Sequence, residues 1–149
     1  MKHSFVVLAA LAAAAGIAVS GTAASGARTL DLTGAVAGYH VVVDAKPAGQ
    51  SAGDIGYETG TIAMHGKTVG RFQGTCTQLP HSSSQCSFAL GLPGGQILIE
   101  GNYGPGFNSG SVAREAVVGG TGAYAGARGQ GRDRELSDTK LAFHLELAG

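Results

Sequence analysis

The sequence lacks tryptophan, carries little charge and has no excess of either sign. Charged side chains make up 13% of its 149 residues, and ten basic residues balance ten acidic ones, whereas about 25% charged is usual for a soluble domain. The charges are scattered, so they form no basic face of the kind that nucleic acid or an anionic membrane surface requires. We therefore expect neither as a partner.

Paired histidines and long amphipathic helices are also missing from the sequence. The five histidines lie far apart, without the paired spacing of metal sites, and no helical apolar period of ten or more residues follows the N-terminal segment. We expect no metal and no organic cofactor. Cysteine is limited to Cys76 and Cys86, which in an oxidising compartment are most simply a disulfide.

One long apolar run is present, at the N-terminus. A short basic start, Met1–His3, precedes the apolar segment Phe5–Val19, and small residues follow. This order predicts a signal peptide over residues 1–24, with cleavage after Ala24 or, as a second candidate, after Ala27. The alternative is a retained membrane anchor, but fifteen apolar residues fall short of the roughly 20 that span a bilayer. A secreted protein is expected, periplasmic if the host has an outer membrane.

Alternating apolar residues dominate the mature chain, and this period of two is typical of half-buried strands. The strand candidates are Val36–Ala45, Tyr57–Met64, Lys67–Thr77, Ser84–Leu92, Gln96–Tyr103, Val112–Val118, Ala127–Leu136 and a C-terminal run from Lys140 to Leu147. Turn-rich segments connect them. Eight short strands predict an antiparallel barrel or sandwich over residues 36–149, after a short lead of residues 25–35.

The two cysteines predict the register of one hairpin. If Cys76 opposes Cys86, then Gln78 faces Ser84, Phe72 faces Leu90, and residues 79–83 form the loop. Gly74 then faces Phe88, whose ring can cover a residue that has no side chain of its own.

A glycine-rich stretch at residues 119–131, GGTGAYAGARGQG, resembles a dinucleotide-binding turn. Such a turn joins a strand to a helix and is followed, about 20 residues later, by an acidic residue. Here the segment that follows is interrupted by glycines and alternates in charge, so it does not suit the helix. The residue about 20 positions later, where an acid would be needed, is Lys140. We therefore interpret the stretch as a sharp turn between two strands.

Three sequence blocks resemble one known family. GKTVGRFQGTCTQL at residues 66–79 is similar to the VGR-x-QG strand of dirigent proteins, and Cys76 stands where allene oxide cyclases also carry a cysteine. CSFALGLPGGQILIEGNY at 86–103 resembles a hairpin of the cyclases. REAVVGGTGAYAGARGQG at 114–131 resembles the signature of both groups. From Val36 to Leu147 the chain thus resembles the allene oxide cyclase and dirigent-protein barrels.

This resemblance implies an eight-stranded antiparallel β-barrel with a central, largely apolar cavity, assembled as a homo-oligomer, a trimer in plant members. The function it implies is binding of a hydrophobic small molecule. An isomerase or cyclase of this type would orient and desolvate its substrate for ring closure or stereoselective coupling, without a cofactor. Two alternatives stay open: a non-catalytic, lipocalin-like carrier, and a structural surface protein whose barrel is packed solid.

Matching positions give candidate site residues. His40 follows Tyr39, where the cyclases carry a glutamate after a tyrosine, so that carboxylate is missing here. Asp44 corresponds to an aspartate of dirigents, and Arg128 to their arginine. His40, Asp44 and Arg128 are therefore the predicted catalytic residues. The predicted ligand-binding residues are Arg71, Phe72, Phe88, Tyr103 and Tyr124.

Each of these residues also has a purely structural interpretation. His40 could be a core or rim histidine, and Asp44 could simply end a strand. Arg71 and Arg128 could form cross-strand pairs with Glu100 or Glu58. The aromatic residues could belong to an ordinary core.

Overall fold

A computed structural model describes residues 27–105 and 107–148. The predicted signal peptide, residues 1–24, lies outside the described residues. The strands are β1 (Arg28–Val43), β2 (Ile55–Met64), β3 (Lys67–Gln78), β4 (Ser84–Leu92), β5 (Gly95–Tyr103), β6 (Val112–Gly120), β7 (Arg128–Ser137) and β8 (Lys140–Ala148). Short 3-10 turns occur at Pro80–Ser82 and Gly122–Tyr124. No helix in the described part of the chain has the length and apolarity to span a membrane.

Each strand pairs antiparallel with its neighbour in sequence, and β8 returns to β1, so that the sheet closes into a barrel. The predicted eight-stranded antiparallel barrel is thus confirmed. We call the end where β1, β3, β5 and β7 finish the mouth, and the opposite end the base. Every strand thus has a neighbour on both sides, and the part of β1 beyond Ala35 continues in its pairing with β2.

The hairpin of β3 and β4 has the predicted register. Cys76 lies opposite Cys86 and is joined to it by a disulfide. In the connecting loop the Leu79 amide donates a hydrogen bond to the Ser83 carbonyl over 2.7 Å. Gly74 faces Phe88, and a Cβ atom at position 74 would overlap the Phe88 ring.

The first strand is longer than the sequence pattern indicated. It begins at Arg28 rather than Val36, and residues 28–35 of the expected lead pair with β8. Leu30 and Leu32 face the interior. The apolar alternation does not extend visibly through this segment because the next inward position is Gly34, which has no side chain. An added Cβ there would lie 3.1 Å from the Phe143 ring.

An irregularity in β1 changes which of its residues face inward. The pairing with β2 shifts between Val36 and Gly38, and an extra residue in a strand moves the following side chains to the opposite face. Beyond the shift, Tyr39 turns towards the mouth. His40 lies on the outer face, where its ring stacks on Tyr57 with 4.9 Å between ring centroids.

Apolar side chains fill the barrel from the base to its middle. Phe72, Phe88 and Phe143 meet there, with ring centroids 6.0–6.4 Å apart. The other large buried aliphatic residues are Leu30, Leu32, Ile62, Leu90, Leu92, Ile97, Ile99, Val117, Leu141, Leu145 and Leu147. The remaining interior space therefore lies towards the mouth.

Candidate functional site

A cavity of about 670 Å³ opens at the mouth of the barrel. Its apolar surface includes Val36, Tyr39, Phe88, Phe107 and Leu141, and the disulfide forms part of the wall. This volume lies within the roughly 300–1,000 Å³ of small-molecule sites. The cavity favours the ligand-binding alternatives over a barrel packed solid.

The polar part of the cavity is acidic. Glu58, Asp133, Glu135 and Asp138 line it, and the described residues of its wall include no lysine, arginine or histidine. Carboxylates gathered in a partly enclosed space repel one another and give the cavity a negative potential.

Three side chains form a hydrogen-bonded cluster below the acidic wall. The Tyr103 hydroxyl lies 2.6 Å from Glu115 Oε1 and 2.9 Å from Asp133 Oδ2. Glu115, on β6, is opposite Gly101 of β5 and Gly131 of β7. Because neither glycine has a side chain, the long glutamate side chain has room inside the barrel.

The hydrogen count of this cluster constrains its protonation. A tyrosine hydroxyl has one hydrogen, so it can donate to only one of the two carboxyl groups. The second contact is a hydrogen bond only if that carboxyl group is protonated and donates to the tyrosine oxygen. One carboxylic acid, one carboxylate and one neutral tyrosine satisfy both contacts.

Burial raises the pKa values of all three groups in the cluster, which favours the protonated carboxyl group that the hydrogen count requires. Loss of solvent raises the pKa of Glu115 to about 7, although the Tyr103 hydrogen bond opposes this shift. Burial likewise raises the pKa of Asp133 to about 6. The pKa of Tyr103 is raised by burial and by the adjacent carboxyl groups. The cluster therefore holds an exchangeable proton near neutral pH.

One oxygen of each carboxyl group has no hydrogen-bond partner among the described residues. Asp133 is 1% exposed and its unpaired oxygen is Oδ1. Asp133 also lines the cavity, and buried polar atoms are normally satisfied, so this oxygen is a candidate contact for a molecule in the cavity. Glu115 Oε2 is the other unpaired atom, and Glu115 borders a depression on the outer wall beside Arg114 and Arg132.

Glu58 is another acid of the cavity wall whose pKa is raised to near neutrality. It lies on β2, which two strands, β8 and β1, separate from β7 around the barrel. Burial first, and then the charges of Asp133 and Glu135, raise the pKa of Glu58 to about 7.

The predicted ligand-binding residues separate into two groups. Phe88 and Tyr103 line the cavity, and Phe72 lies next to Phe88 in the core. Arg71 is exposed on the outer face of β3. Tyr124 is buried at the base, where the Arg28 guanidinium lies 5.4 Å from its ring centroid.

The three predicted catalytic residues do not converge. His40 faces outward, and Asp44, just beyond β1, accepts a hydrogen bond from the Gly49 amide over 3.3 Å. Arg128 begins β7 at the base, and its guanidinium donates to the Ala127 carbonyl over 2.7 Å. None of the three belongs to the cavity wall. Their catalytic role stays a prediction.

Sequence reasoning missed Glu115 and Asp133 as site residues. Glu115 shares its strand face with Ala113 and Val117, and Asp133 shares its own with Gly131. A carboxylate on the inward face of a strand is rare unless it is paired or functional. Both carboxylates stand at positions where the alternation of β6 and β7 directs side chains inward, and this was the signal that could have identified them.

No cluster of three potential metal ligands occurs within residues 27–105 and 107–148.

Comparisons with known proteins support the fold. No family model matches the sequence, and no curated protein matches it significantly. The structure is similar to a pyocyanin demethylase, with a TM-score of 0.70 and 22% identity over 81% of this chain and 100% of that one. It is also similar to two pterocarpan synthase dirigent proteins. One has a TM-score of 0.63 and 16% identity over 83% of both chains, and the other 0.62 and 17% over 83% and 94%. The resemblance to dirigent barrels is thus confirmed for the fold.

Proposed function

We propose that the protein binds a hydrophobic small molecule in the mouth cavity and catalyses a proton transfer on it without a cofactor, as in an isomerisation or a ring closure. The observation that carries this proposal is the geometry of Asp133. One of its oxygens contacts the Tyr103 hydroxyl, and the other is buried without a partner beside a cavity large enough for a ligand.

The cluster has the groups that a proton shift needs. Asp133, as a carboxylate, accepts a proton from the substrate through Oδ1. Asp133 then returns this proton from Oδ1 to another substrate atom, while Glu115 stays the carboxylic acid that donates to the Tyr103 oxygen and the Tyr103 hydroxyl continues to donate to Asp133 Oδ2. Acids and bases whose pKa lies near the working pH are the most effective at this, and the pKa values of Asp133 and Glu115 are about 6 and about 7.

The rest of the cavity supplies orientation. Aromatic and aliphatic side chains restrict the conformers of an apolar substrate and exclude water from the reacting atoms. The names of the structural neighbours refer to small molecules, pyocyanin and pterocarpans, which agrees with this proposal. Identities of 22% or less carry no substrate over to this chain.

The proposal is tested by ligand identification followed by matched variants. Native mass spectrometry of protein purified from its host culture would identify a co-purifying ligand and would also test the predicted trimer. With that ligand or a derivative as substrate, Asp133→Asn should reduce kcat by about 100-fold or more. Glu100→Gln, which changes an exposed carboxylate on the outer face of β5, is the control. Unchanged turnover in Asp133→Asn would contradict the proposed chemistry, and ligand binding without turnover in either protein would indicate a carrier.

We also propose that the protein works outside the cytoplasm. The Cys76–Cys86 disulfide is compatible with an oxidising compartment, and the N-terminal sequence has the order of a signal peptide. N-terminal sequencing of the protein recovered from the culture medium or periplasm should begin at residue 25 or 28. Recovery of the uncleaved chain in the cytoplasm would contradict this proposal.

A further inference from the structure

We infer that the mouth cavity selects organic cations, that is, molecules with a protonated nitrogen on an apolar ring system. This inference rests on the proposed function and specifies the ligand class of the same site. A cation would face several carboxyl groups and no basic side chain among the described residues of the wall.

The first argument is charge. Glu58, Glu135 and Asp138 lie around the cavity above the buried Asp133. A ligand carboxylate or phosphate entering this space would lose water without gaining an opposite charge, which is costly. A cation would instead neutralise the repulsion between the carboxyl groups.

The second argument is hydrogen bonding. Asp133 Oδ1 is a buried acceptor without a partner among the described residues, and the single Tyr103 hydrogen is already used in the contacts with Glu115 Oε1 and Asp133 Oδ2. The missing group is therefore a donor. An N⁺–H group would form a charge-assisted hydrogen bond with Oδ1, which is stronger than a bond from a neutral donor.

The third argument is the aromatic part of the wall. Tyr39, Phe88, Tyr103 and Phe107 line the cavity, and the Phe107 and Tyr103 rings meet edge to face with centroids 4.7 Å apart. Aromatic faces attract cations through the ring quadrupole, and they also pack well against a flat apolar ligand. The cavity thus combines surfaces for both parts of an aromatic amine.

Cation binding should depend on pH. The titratable side chains facing the site are Glu58 from β2, Tyr103 from β5, Glu115 from β6, Asp133 and Glu135 from β7, and Asp138 after β7. Their ionised carboxylates favour the cation, so binding releases protons and affinity rises as pH increases through the range in which they ionise. A neutral ligand of the same shape should show little of this dependence.

Three flat, three-ring fluorescent probes test the inference. They are 9-aminoacridine, a cation over the pH range used, acridone, which is neutral, and 9-anthracenecarboxylate, an anion. At about pH 8 we expect 9-aminoacridine to bind about tenfold more tightly than acridone, and 9-anthracenecarboxylate to bind most weakly. At about pH 5.5 the advantage of the cation should shrink while acridone affinity stays the same.

Two variants assign the selectivity to this cavity. Glu58→Gln at the wall and Asp133→Asn at the floor should each weaken 9-aminoacridine binding by roughly five- to tenfold and leave acridone unchanged. Glu100→Gln on the outer face should change neither. If acridone or 9-anthracenecarboxylate binds as tightly as 9-aminoacridine, cation selection is wrong and small-molecule binding stands. If none of the probes binds, the proposed binding function fails together with the inference.

Discussion

The mouth and the base of this barrel are built from the same eight strands, yet their interiors are chemically opposite. At the base, inward positions carry Leu30, Leu92, Ile97 and Leu145, all buried. At the mouth, the same alternation places Glu58, Asp133 and Glu135 around a cavity. Burying apolar side chains stabilises a fold, whereas burying carboxyl groups costs free energy unless a partner satisfies them. The burial of apolar side chains at the base therefore offsets the free-energy cost of the buried carboxyl groups at the mouth.

The glycine-rich turn belongs to the base. Thr121 donates its amide hydrogen to the Gln96 carbonyl over 2.9 Å, and Ala123 to the Gly94 carbonyl over 2.8 Å. Gly122 has a φ of +58°, and a Cβ atom there would overlap the Gly94 carbonyl. These glycines let two turns pack backbone against backbone. The interpretation of this stretch as a turn between barrel strands is confirmed.

The largest expected difference between the two ends is in stability. Phe143 is 1% exposed in the packed part of the barrel, so Phe143→Ala should lower the free energy of unfolding by about 3–5 kcal/mol. Tyr39→Ala, at the 56% exposed Tyr39 of the mouth, should lower it by less than about 1 kcal/mol. Urea unfolding measures both. Equal losses would mean that the ends do not differ in this way.

The acidic cluster should make stability fall as pH rises. Glu115 titrates near 4.5 when unfolded and near 7 when folded, so between these values the folded state binds more protons than the unfolded state. The free energy of unfolding should therefore fall from about pH 4.5 to pH 7 and level off above, by on the order of 3 kcal/mol.

The control for this pH dependence is a pair of amide substitutions. Glu115→Gln with Asp133→Asn keeps a donor and an acceptor for Tyr103 but removes both titrations, so the decline should become smaller and keep only the part that Glu58 contributes. Glu100→Gln should retain it. A decline of the same size in the double variant would show that other groups cause it.

The disulfide at the mouth should contribute less. Replacing Cys76 and Cys86 together with serine removes a cross-link that closes a short loop, and loop-closure entropy gives about 2–3 kcal/mol for such a link. Thermal unfolding of the variant and of wild type, with and without reductant, measures the loss. If the reductant destabilises wild type and the variant equally, the bond is not the cause.

The smallest expected effect concerns Arg128. Its side chain is exposed at the base, far from the mouth along the barrel, so Arg128→Ala should change stability by less than about 0.5 kcal/mol and leave the affinity for 9-aminoacridine unchanged. A clear loss of affinity would support the role that sequence resemblance assigns to this arginine. It would also show that the base contributes to the site.

Sequence patterns predicted the fold better than the site. Alternation is a local property of the sequence. It could therefore predict that Phe88 and Leu90 share one face of their strand and that Cys76 pairs with Cys86. The shift in β1 after Val36 has no comparable signal, and it moves His40 outward while Tyr39 faces the mouth. Tyr103, Glu115 and Asp133 meet only because three strands lie side by side in the closed sheet.

The contact between Gly74 and Phe88 has a consequence for how this protein can diversify. The Phe88 ring occupies the space that a side chain at position 74 would need, and the same ring lines the cavity. Alanine at position 74, one nucleotide change from glycine, would displace the ring from its present position in the cavity wall. A single small substitution at this position would therefore change the shape of the cavity while keeping every acidic group in place.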